Sequence, residues 1–246
     1  EHAGAKVLIT DRMYAGVVGP AMARLKRKIL VIDVDDPLYT GPGDKLGELE
    51  YEAFIATGDP EFKWRLPEDE SDPIALNYTS GTTGRPKGVV YHHRGTFIES
   101  LGTIAAWAIP AAPVYLWTLP LFHCNGWGFP WSITAMSGTH VCLRAVDPAA
   151  IFPMIVRHSV THMCGAPTVL TLLTSAPPGQ RVPFQRPVNI MTCGSPPPAK
   201  ILLEMAKLGL KVLHIYGLNG LPGPSAARPP QNTQVAQPAR PRAHPS

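Results

Sequence analysis

The stretch NYTSGTTGRPKGVV, residues 77–90, carries more information about the fold than any other part of the chain. Its Gly residues let the backbone approach a ligand closely and turn several N–H groups toward it, and its hydroxyls add further donors. Lys87 adds a positive charge at the end of the loop, where charge-assisted hydrogen bonds contribute about 1.5–3 kcal/mol each. The stretch predicts a phosphate-binding loop between two strands, although a Gly/Thr-rich loop alone is usually a solvated turn.

Two familiar phosphate-binding loops do not fit this stretch. A Walker A loop requires GxxxxGK[ST] and a helix after it. Here Lys87 follows Pro86 and precedes Gly88, and the residues after Gly88 are strand-like. The GxGxxG spacing of a kinase loop is absent as well. A phosphate site here therefore belongs to another class.

Apolar, strand-like segments alternate with helical segments along most of the chain. The predicted strands are 6–10, 29–33, 74–79, 89–92, 113–119, 139–143, 160–163, 188–193 and 211–215. The predicted helices are 12–28, 47–57, 94–108, 126–136, 148–158, 168–174 and 197–208. This order indicates an α/β fold with mostly parallel sheets flanked by helices, in which ligands bind beyond the carboxyl ends of the strands.

Composition divides the chain into three regions. Residues 1–73 form an α/β segment with an acidic loop, and residues 74–218 form the core. Residues 219–246 are rich in Pro and Arg and have no aromatic side chain. Ordering such a tail costs about 1–2 kcal/mol per residue, and it has too little apolar surface to offset that cost, so we expect it to be disordered.

The charge pattern does not favour a nucleic-acid partner. The net charge is +4 over 246 residues, and Arg228, Arg240 and Arg242 supply most of it from the tail. No basic stripe with interleaved aromatic residues is present. The four cysteines are widely spaced without a CxxC pair, which is typical of reduced thiols.

A membrane helix is an alternative interpretation of residues 101–122, which carry no charge. A span requires about 20 apolar residues. Because Pro110, Pro113 and Pro120 interrupt the segment, we expect a buried helix followed by a buried strand. The chain begins without Met or a signal peptide, so we expect it to be part of a longer protein.

The string YTSGTTGRPKG, residues 78–88, resembles the phosphate-binding signature of the adenylate-forming superfamily. That superfamily includes acyl-CoA synthetases, firefly luciferase and peptide-synthetase adenylation domains. Further segments resemble its motifs in the same order, namely LPLFHCNGW (119–127), GAPTVL (165–170), CGSPPP (193–198) and IYGL (215–218). The resemblance covers roughly residues 3–218 and is strongest to plant acyl-activating enzymes and to bacterial medium-chain or methylmercaptopropionate-type CoA ligases. It implies part of the N-terminal domain of the adenylate-forming fold.

This resemblance implies an acyl-CoA ligase, an acid–thiol ligase of the AMP-forming type. Such enzymes join a small-molecule carboxylic acid to the α-phosphate of ATP and release pyrophosphate. The thiol of coenzyme A then displaces AMP. ATP, Mg²⁺ and coenzyme A are therefore the expected cofactors and co-substrates. The sequence indicates no oligomeric state.

The matched motifs imply roles for individual residues. The β- and γ-phosphates are expected to contact Thr79, Ser80, Gly81, Thr82, Thr83, Gly84 and Lys87. The adenine and AMP site is expected to comprise Gly194, Ser195, Pro196, Tyr216, Gly217 and Asn219. The acyl pocket is expected to be lined by His123, Trp127, Gly165 and Ala166. His123, beside the reacting carboxylate, and Lys87 are the expected catalytic residues.

Each of these residues also has a structural interpretation. His123 and Trp127 could be ordinary core residues, and Tyr216 could simply cap a strand. His123, Cys124, His140 and Cys142 together suggest a zinc site, but they lack the paired spacing of zinc ligands.

The pattern of the family breaks after Leu218. There the family continues with Thr-Glu, whereas this chain has Asn219 and Gly220. The Glu would be a Mg²⁺ ligand, so no metal ligand is certain. The ribose-binding Asp, the hinge and the C-terminal lid with its catalytic Lys are unmatched. The alternative function is therefore a non-catalytic nucleotide-binding remnant.

The compartment follows only loosely from the sequence. Plant relatives are often peroxisomal, but the chain ends in His-Pro-Ser, which is not a peroxisomal signal. We expect a cytoplasmic or peroxisomal protein.

Overall fold

Parallel strands dominate the fold in the computed structural model of the chain. The structure describes residues 2–79, 86–218 and 221–228, with the backbone alone from residue 216 onward. The chain divides into two compact units, Glu1–Leu66 and Pro67–Ser246. The predicted α/β class is confirmed, since helices flank mostly parallel sheets.

The first unit contains a three-stranded parallel sheet. Its elements are β1 (Val7–Asp11), α1 (Ala15–Met22), β2 (Leu30–Val34), β3 (Leu49–Glu50) and α2 (Tyr51–Ile55). The carboxylate of Asp33 is buried at the end of β2 and accepts the backbone N–H groups of Leu46 at 3.1 Å and Gly47 at 2.6 Å. The helix predicted over residues 12–28 is shorter, because Gly residues and Pro20 lower its helical propensity.

The second unit is built on a six-stranded sheet with the order β11-β10-β9-β8-β6-β7. Its strands are β6 (Val114–Trp117), β7 (Thr139–Cys142), β8 (His162–Cys164), β9 (Val188–Cys193), β10 (Leu210–Leu218) and β11 (Leu221–Arg228). All neighbouring pairs are parallel except β10 and β11. The carboxyl ends of five strands therefore lie at one edge, which we call the carboxyl edge of the sheet.

Helices cover both faces of this sheet. They are α3 (His93–Trp107), α5 (Phe129–Ala135), α6 (Pro148–Arg157), α7 (Pro167–Thr174) and α8 (Ala199–Lys207), while the four-residue element α4 (Cys124–Trp127) has positive φ angles and is not an ordinary helix. Their ends follow local signals. Asp147 caps α6 by accepting the N–H of Ala149 at 2.9 Å, and Gly209, with a φ of +80°, follows the end of α8 as predicted. No helix in the described chain combines the length and hydrophobicity that a membrane span requires.

The two faces of the sheet bury different side chains, because successive residues of a strand point to opposite sides. The aliphatic face, under α6, α7 and α8, comprises Leu116, Ile151, Phe152, Met163, Leu170, Leu173, Ile190 and Met205. The aromatic face, under α3 and α5, comprises Trp107, Tyr115, Trp117, Phe129, Ile133, Cys164 and Met191.

A separate antiparallel hairpin precedes α3. It consists of β4 (Pro73–Thr79) and β5 (Lys87–His92), so the predicted strands on both sides of the Gly/Thr loop are confirmed. Directly opposed residues of an antiparallel pair share a face. The pairs Ala75–Tyr91, Asn77–Val89 and Thr79–Lys87 therefore form one face, which we call the inner face of the hairpin.

The structure differs from the expected disordered tail over Leu221–Arg228. This segment forms β11, an edge strand paired with β10. Composition disfavours a strand here, but the backbone ladder with β10 supplies hydrogen bonds without large side chains. Pro222 and Pro224 are compatible with an edge position, where outward-facing donors are not needed. Residues 229–246 lie outside the described part of the chain.

Candidate active site at the carboxyl edge of the sheet

Four of the matched motifs follow parallel strands of the same sheet. LPLFHCNGW follows β6, GAPTVL follows β8, CGSPPP follows the end of β9, and IYGL lies at the end of β10. Each of these strands ends at the carboxyl edge, where α/β sheets bind ligands. Parts of the chain that are about 100 residues apart in the sequence are therefore brought to one edge.

Backbone and side-chain hydrogen bonds join the segments at this edge. The Gly165 N–H donates to the carbonyl of Met191 at 2.9 Å, so the connection after β8 is tied to β9. The Thr118 hydroxyl donates to the carbonyl of Cys164, which joins the ends of β6 and β8. Nε2 of His214 lies 3.1 Å from the carbonyl oxygen of Gly194.

His123 immediately precedes an unusual left-handed turn. The φ angles of residues 124–128 are 50°, 43°, 59°, 57° and 76°, so five successive residues are in the left-handed region. L-residues disfavour this region by roughly 1–2 kcal/mol each, except Gly and to a lesser degree Asn. We call residues 124–128 the left-handed turn. The imidazole of His123 is exposed beside it.

Two glycines allow the left-handed turn to pack closely. A Cβ at Gly126 would lie 2.6 Å from the Trp117 ring, and a Cβ at Gly128 would lie 2.3 Å from the carboxylate of Glu99. Both glycines are buried. The turn is therefore fitted between the end of β6 and helix α3, and larger residues at either position would have to displace these neighbours.

The inner face of the hairpin packs against the left-handed turn. The side-chain amide of Asn77 donates to Oδ1 of Asn125, and the Tyr91 hydroxyl donates to the sulfur of Cys124. Asn77 and Tyr91 are 8% and 4% exposed. Two residues of one hairpin face thus contact two successive residues of the turn that follows His123.

The predicted phosphate-binding residues Thr79 and Lys87 are also on the inner face. They are opposed in the register at the loop end of the hairpin, and the Lys87 side chain is exposed. The hairpin therefore presents a hydroxyl and a positive charge on the side that faces the His123 segment. Ser80, Gly81, Thr82, Thr83 and Gly84 lie outside the described residues.

The expected acyl-pocket residues take different positions. Gly165 is buried, and a Cβ there would lie 3.0 Å from Val169, so this position tolerates little more than hydrogen. Ala166 caps the start of α7. Trp127 is partly buried and packs against the aromatic face. These residues and the exposed His123 belong to segments that reach the carboxyl edge, and their roles in acyl binding stay predictions.

The expected adenine-binding loop is open at its start. Gly194 has a φ of +95° and is exposed together with Ser195 and Pro196. The backbone of Tyr216 and Gly217 lies in β10 beside this loop, and their side chains are not described. Asn219 and Gly220 lie outside the described residues.

The described residues contain no preformed cluster of metal-binding side chains. Within the described residues, no group of three or more His, Cys, Asp or Glu side chains could hold a metal ion. Of the four residues that suggested zinc, His140 has both ring nitrogens occupied. Nδ1 accepts the indole N–H of Trp117 at 3.0 Å, and Nε2 lies 3.0 Å from the Thr134 hydroxyl.

Burial raises the pKa values of ionisable groups in and next to the left-handed turn. It raises the pKa of Tyr91 to about 12 and also raises the pKa of the Cys124 thiol. Burial likewise raises the pKa of Glu99, whose Oε1 accepts a hydrogen bond from Thr103 at 2.7 Å. Tyr91 and Cys124 are therefore neutral at pH 7, so their hydrogen bond is not an ion pair.

The sequence from residue 1 to residue 240 matches the family model described as AMP-binding enzyme. The chain belongs to the AMP-binding enzyme family. The predicted relationship to adenylate-forming enzymes is thereby confirmed. It was based on the hairpin segment 78–88 and on the four motifs at the carboxyl edge.

Known members of the AMP-binding family share the fold and much of the sequence. The chain is 49% identical over 236 residues to acetate/butyrate–CoA ligase AAE7, peroxisomal, of Arabidopsis thaliana, and 44% identical over 228 residues to 2-methylpropanoate–CoA ligase CCL4 of Humulus lupulus. These alignments cover 91% and 90% of this chain but 42% and 41% of the relatives, so the chain spans about two fifths of their length.

A solved structure agrees with the fold. The O-succinylbenzoate coenzyme A synthetase MenE of Bacillus subtilis, in complex with ATP and magnesium ion, superposes with a TM-score of 0.72 at 20% identity. The match covers 96% of this chain and 44% of that chain. The predicted partial N-terminal domain of the adenylate-forming fold is confirmed by this similarity.

Sequence reasoning missed the residues that link the hairpin to the left-handed turn. Asn77 and Asn125 both lie within quoted motifs, but neither was assigned a role. One local signal was available, because Asn-Gly at residues 125–126 is a turn dipeptide that favours positive φ. Nothing local indicated Tyr91 as the partner of Cys124.

Proposed function

We propose that this chain is the ATP- and acyl-binding part of an AMP-forming acid–CoA ligase. The observation that carries the proposal is the position of the inner face of the hairpin, which brings Thr79 and Lys87 to the side of the His123 segment. A triphosphate bound at the hairpin and a carboxylate bound near His123 would then be neighbours. The names of the relatives, which include acetate, butyrate and 2-methylpropanoate, make small aliphatic acids the first substrates to test.

The chemistry requires two anions to approach each other. A carboxylate oxygen attacks the α-phosphorus of ATP, an O–P bond forms, and the bond from the α-phosphorus to the bridging oxygen breaks as pyrophosphate leaves. The ammonium of Lys87 would reduce the repulsion by binding phosphate oxygens, and the imidazole of His123 would orient the carboxylate. The thiol of coenzyme A then attacks the acyl carbon and AMP leaves.

Magnesium and coenzyme A are part of this proposal only as ligands expected for the family. Mg²⁺ would neutralise phosphate charge when bound. The described residues form no cluster of three or more His, Cys, Asp or Glu side chains, and no step is assigned to a protein–Mg²⁺ contact.

A binding experiment tests the proposal directly. ATP in the presence of Mg²⁺ is titrated into the full chain by calorimetry, first with wild type and then with Lys87→Ala. A lost charge-assisted phosphate contact should weaken binding about 10- to 100-fold. Lys211→Ala is the matched control, because Lys211 is an exposed lysine at the amino end of β10, on the opposite edge of the sheet.

Two results would contradict the proposed site. One is wild-type protein that does not bind ATP. The other is equal loss of affinity in Lys87→Ala and Lys211→Ala, since a general charge effect would then explain both.

Carboxylate-dependent exchange between ATP and labelled pyrophosphate separates the ligase from the alternative of a nucleotide-binding remnant. Gly220 stands where a carboxylate is expected, and the chain spans about two fifths of the length of the relatives. We therefore expect this chain to bind ATP without exchange. Exchange that depends on butyrate would reject the remnant and show that the chain adenylates by itself.

We propose a cytoplasmic or peroxisomal location, since one relative is named peroxisomal.

A further inference from the structure

The left-handed turn forms an unusually specific link between two parts of the proposed site. It follows His123 directly, and it contacts the hairpin through Asn125 and Cys124. Asn77, the partner of Asn125, is two residues before Thr79 in β4. A single amide–amide hydrogen bond thus connects the strand leading into the phosphate loop with the segment that carries the imidazole.

The hydrogen bond between Asn77 and Asn125 depends on the backbone conformation of Asn125. Its φ and ψ are 43° and 53°, in the left-handed region. Asn is one of the few residues with a side chain that adopts this region readily. The position therefore requires both a left-handed backbone and an amide group, and of the common residues Asn satisfies both requirements best.

Burial makes the amide link costly to break. Asn77 is 8% exposed on the inner face of the hairpin, so its amide has little access to water. A buried polar group without a partner is strongly disfavoured. The link also has a second support, since Tyr91 on the same face bonds to Cys124. Together the two contacts fix the hairpin against the turn.

We propose that Asn125 is a positioning residue, whose amide bond to Asn77 holds His123 beside the phosphates bound at the hairpin. The inference rests on the proposed function, because it assumes that ATP binds at the hairpin. It explains how the imidazole of His123 keeps its position next to the bound nucleotide, although His123 and the nucleotide-binding hairpin belong to different parts of the chain. Asn125 acts through His123 and does not itself contact substrate.

The test uses the imidazole of His123 as a reporter in the full chain. The histidines are labelled with ¹³C, and the Cε1–H resonance of His123 is assigned with the variant His123→Gln. Addition of ATP with Mg²⁺ should move this resonance in wild type. In Asn125→Gly the left-handed backbone is preserved but the amide is removed, so we expect the ATP-induced shift to fall by half or more, with ATP affinity changed less than about threefold.

Two further variants separate positioning from general damage. Asn125→Asp keeps an acceptor for the Asn77 amide and should restore most of the shift. Asn189→Ala removes an amide near His162 at the amino end of β9, 3.4 Å from that ring, and should leave the His123 response unchanged.

The outcomes distinguish this inference from the proposed function. No ATP binding by wild type would overturn the proposed function. ATP binding with the same His123 shift in wild type and Asn125→Gly would overturn the positioning role alone, as would an unmoved resonance in wild type with bound ATP. A shift lost in Asn125→Gly and restored in Asn125→Asp supports the role.

Discussion

The two faces of the six-stranded sheet differ in their packing and in their distance from the left-handed turn. The aliphatic face is covered by α6, α7 and α8, and its side chains interlock as in an ordinary protein core. The aromatic face is covered by α3 and α5 and lies next to the left-handed turn. Among the described residues, six of the seven non-glycine residues with positive φ fall between the end of α3 and β7, and only Ser159 follows α6.

Buried polar groups without a partner are found on both faces, with Thr192 of β9 on the aliphatic side. In the described part of the chain, Thr96, Glu99 and Ser100 of α3 each have a buried side-chain oxygen without a hydrogen-bond partner. Strained backbone and unsatisfied polar groups persist only where the surrounding structure enforces them, and they concentrate at functional sites. We therefore expect the aliphatic face to contribute mainly to stability, and the aromatic face to support the candidate site at some cost in stability.

Phe152→Ala should have the largest effect on stability. Phe152 is fully buried on the aliphatic face and stacks on Phe184 with ring centroids 5.9 Å apart. Truncation of a buried Phe to Ala costs about 3–5 kcal/mol through lost burial and a residual cavity. Urea denaturation should show this loss, whereas the ATP affinity of the folded fraction should not change.

Phe152→Leu provides a milder version if Phe152→Ala does not fold. It should cost about 1–1.5 kcal/mol and again spare ATP binding. If the free energy of ATP binding changed more than the free energy of unfolding in either Phe152 variant, the separate roles assigned to the two faces would be contradicted.

Gly126→Ala tests the left-handed turn. The added methyl group would lie 2.6 Å from the Trp117 ring at a φ of +59°. Steric overlap and the unfavourable backbone region together should cost roughly 2–4 kcal/mol. Because the turn follows His123, the ATP-induced shift of the His123 resonance should fall as well, which NMR measures.

The matched control is Gly102→Ala in α3. No heavy atom lies within 4 Å of the Cβ position at Gly102, and Ala has the higher helix propensity by about 1 kcal/mol. This variant should be slightly stabilised. Equal destabilisation in both variants would mean that the left-handed turn has no special role.

Glu99→Gln should have the smallest effect, and the effect should depend on pH. Burial raises the pKa of Glu99 in the folded chain above its ordinary value. Its ionisation therefore lowers stability as pH rises from the unfolded pKa, about 4.3, through the raised folded pKa. The melting temperature of Glu99→Gln relative to wild type should be higher at pH 7.5 than at pH 4.5.

Glu204→Gln is expected to show the opposite trend. The hydrogen bond from Lys207 lowers the pKa of the partly exposed Glu204. That pair contributes its full stability above the unfolded pKa, about 4.3, and loses it as pH falls through the lowered folded pKa, so wild type should lose on this variant as pH falls below about 4.3. The same trend in both variants would indicate a global charge effect and not burial of Glu99.

Much of the fold could be predicted because its signals are local. The Gly/Thr stretch and the apolar residues around it predicted two strands joined by a loop, and Pro148 and Gly209 marked the start of α6 and the end of α8. The sequence predicted one helix over residues 126–136, whereas the structure has the left-handed turn and then α5. The reversal of backbone handedness at residues 124–128 depends on close contacts with Trp117 and Glu99, which no local pattern reveals.

By itself the sequence determined the family and most of the order of strands and helices, because periodicity, turn residues and a long specific motif are properties of neighbouring residues. Only the tertiary structure decided that Asn77 bonds to Asn125, 48 residues away, and that Tyr91 bonds to Cys124. Such pairs form because the hairpin and the left-handed turn exclude water from the same small volume, where a polar group must find a partner in the protein.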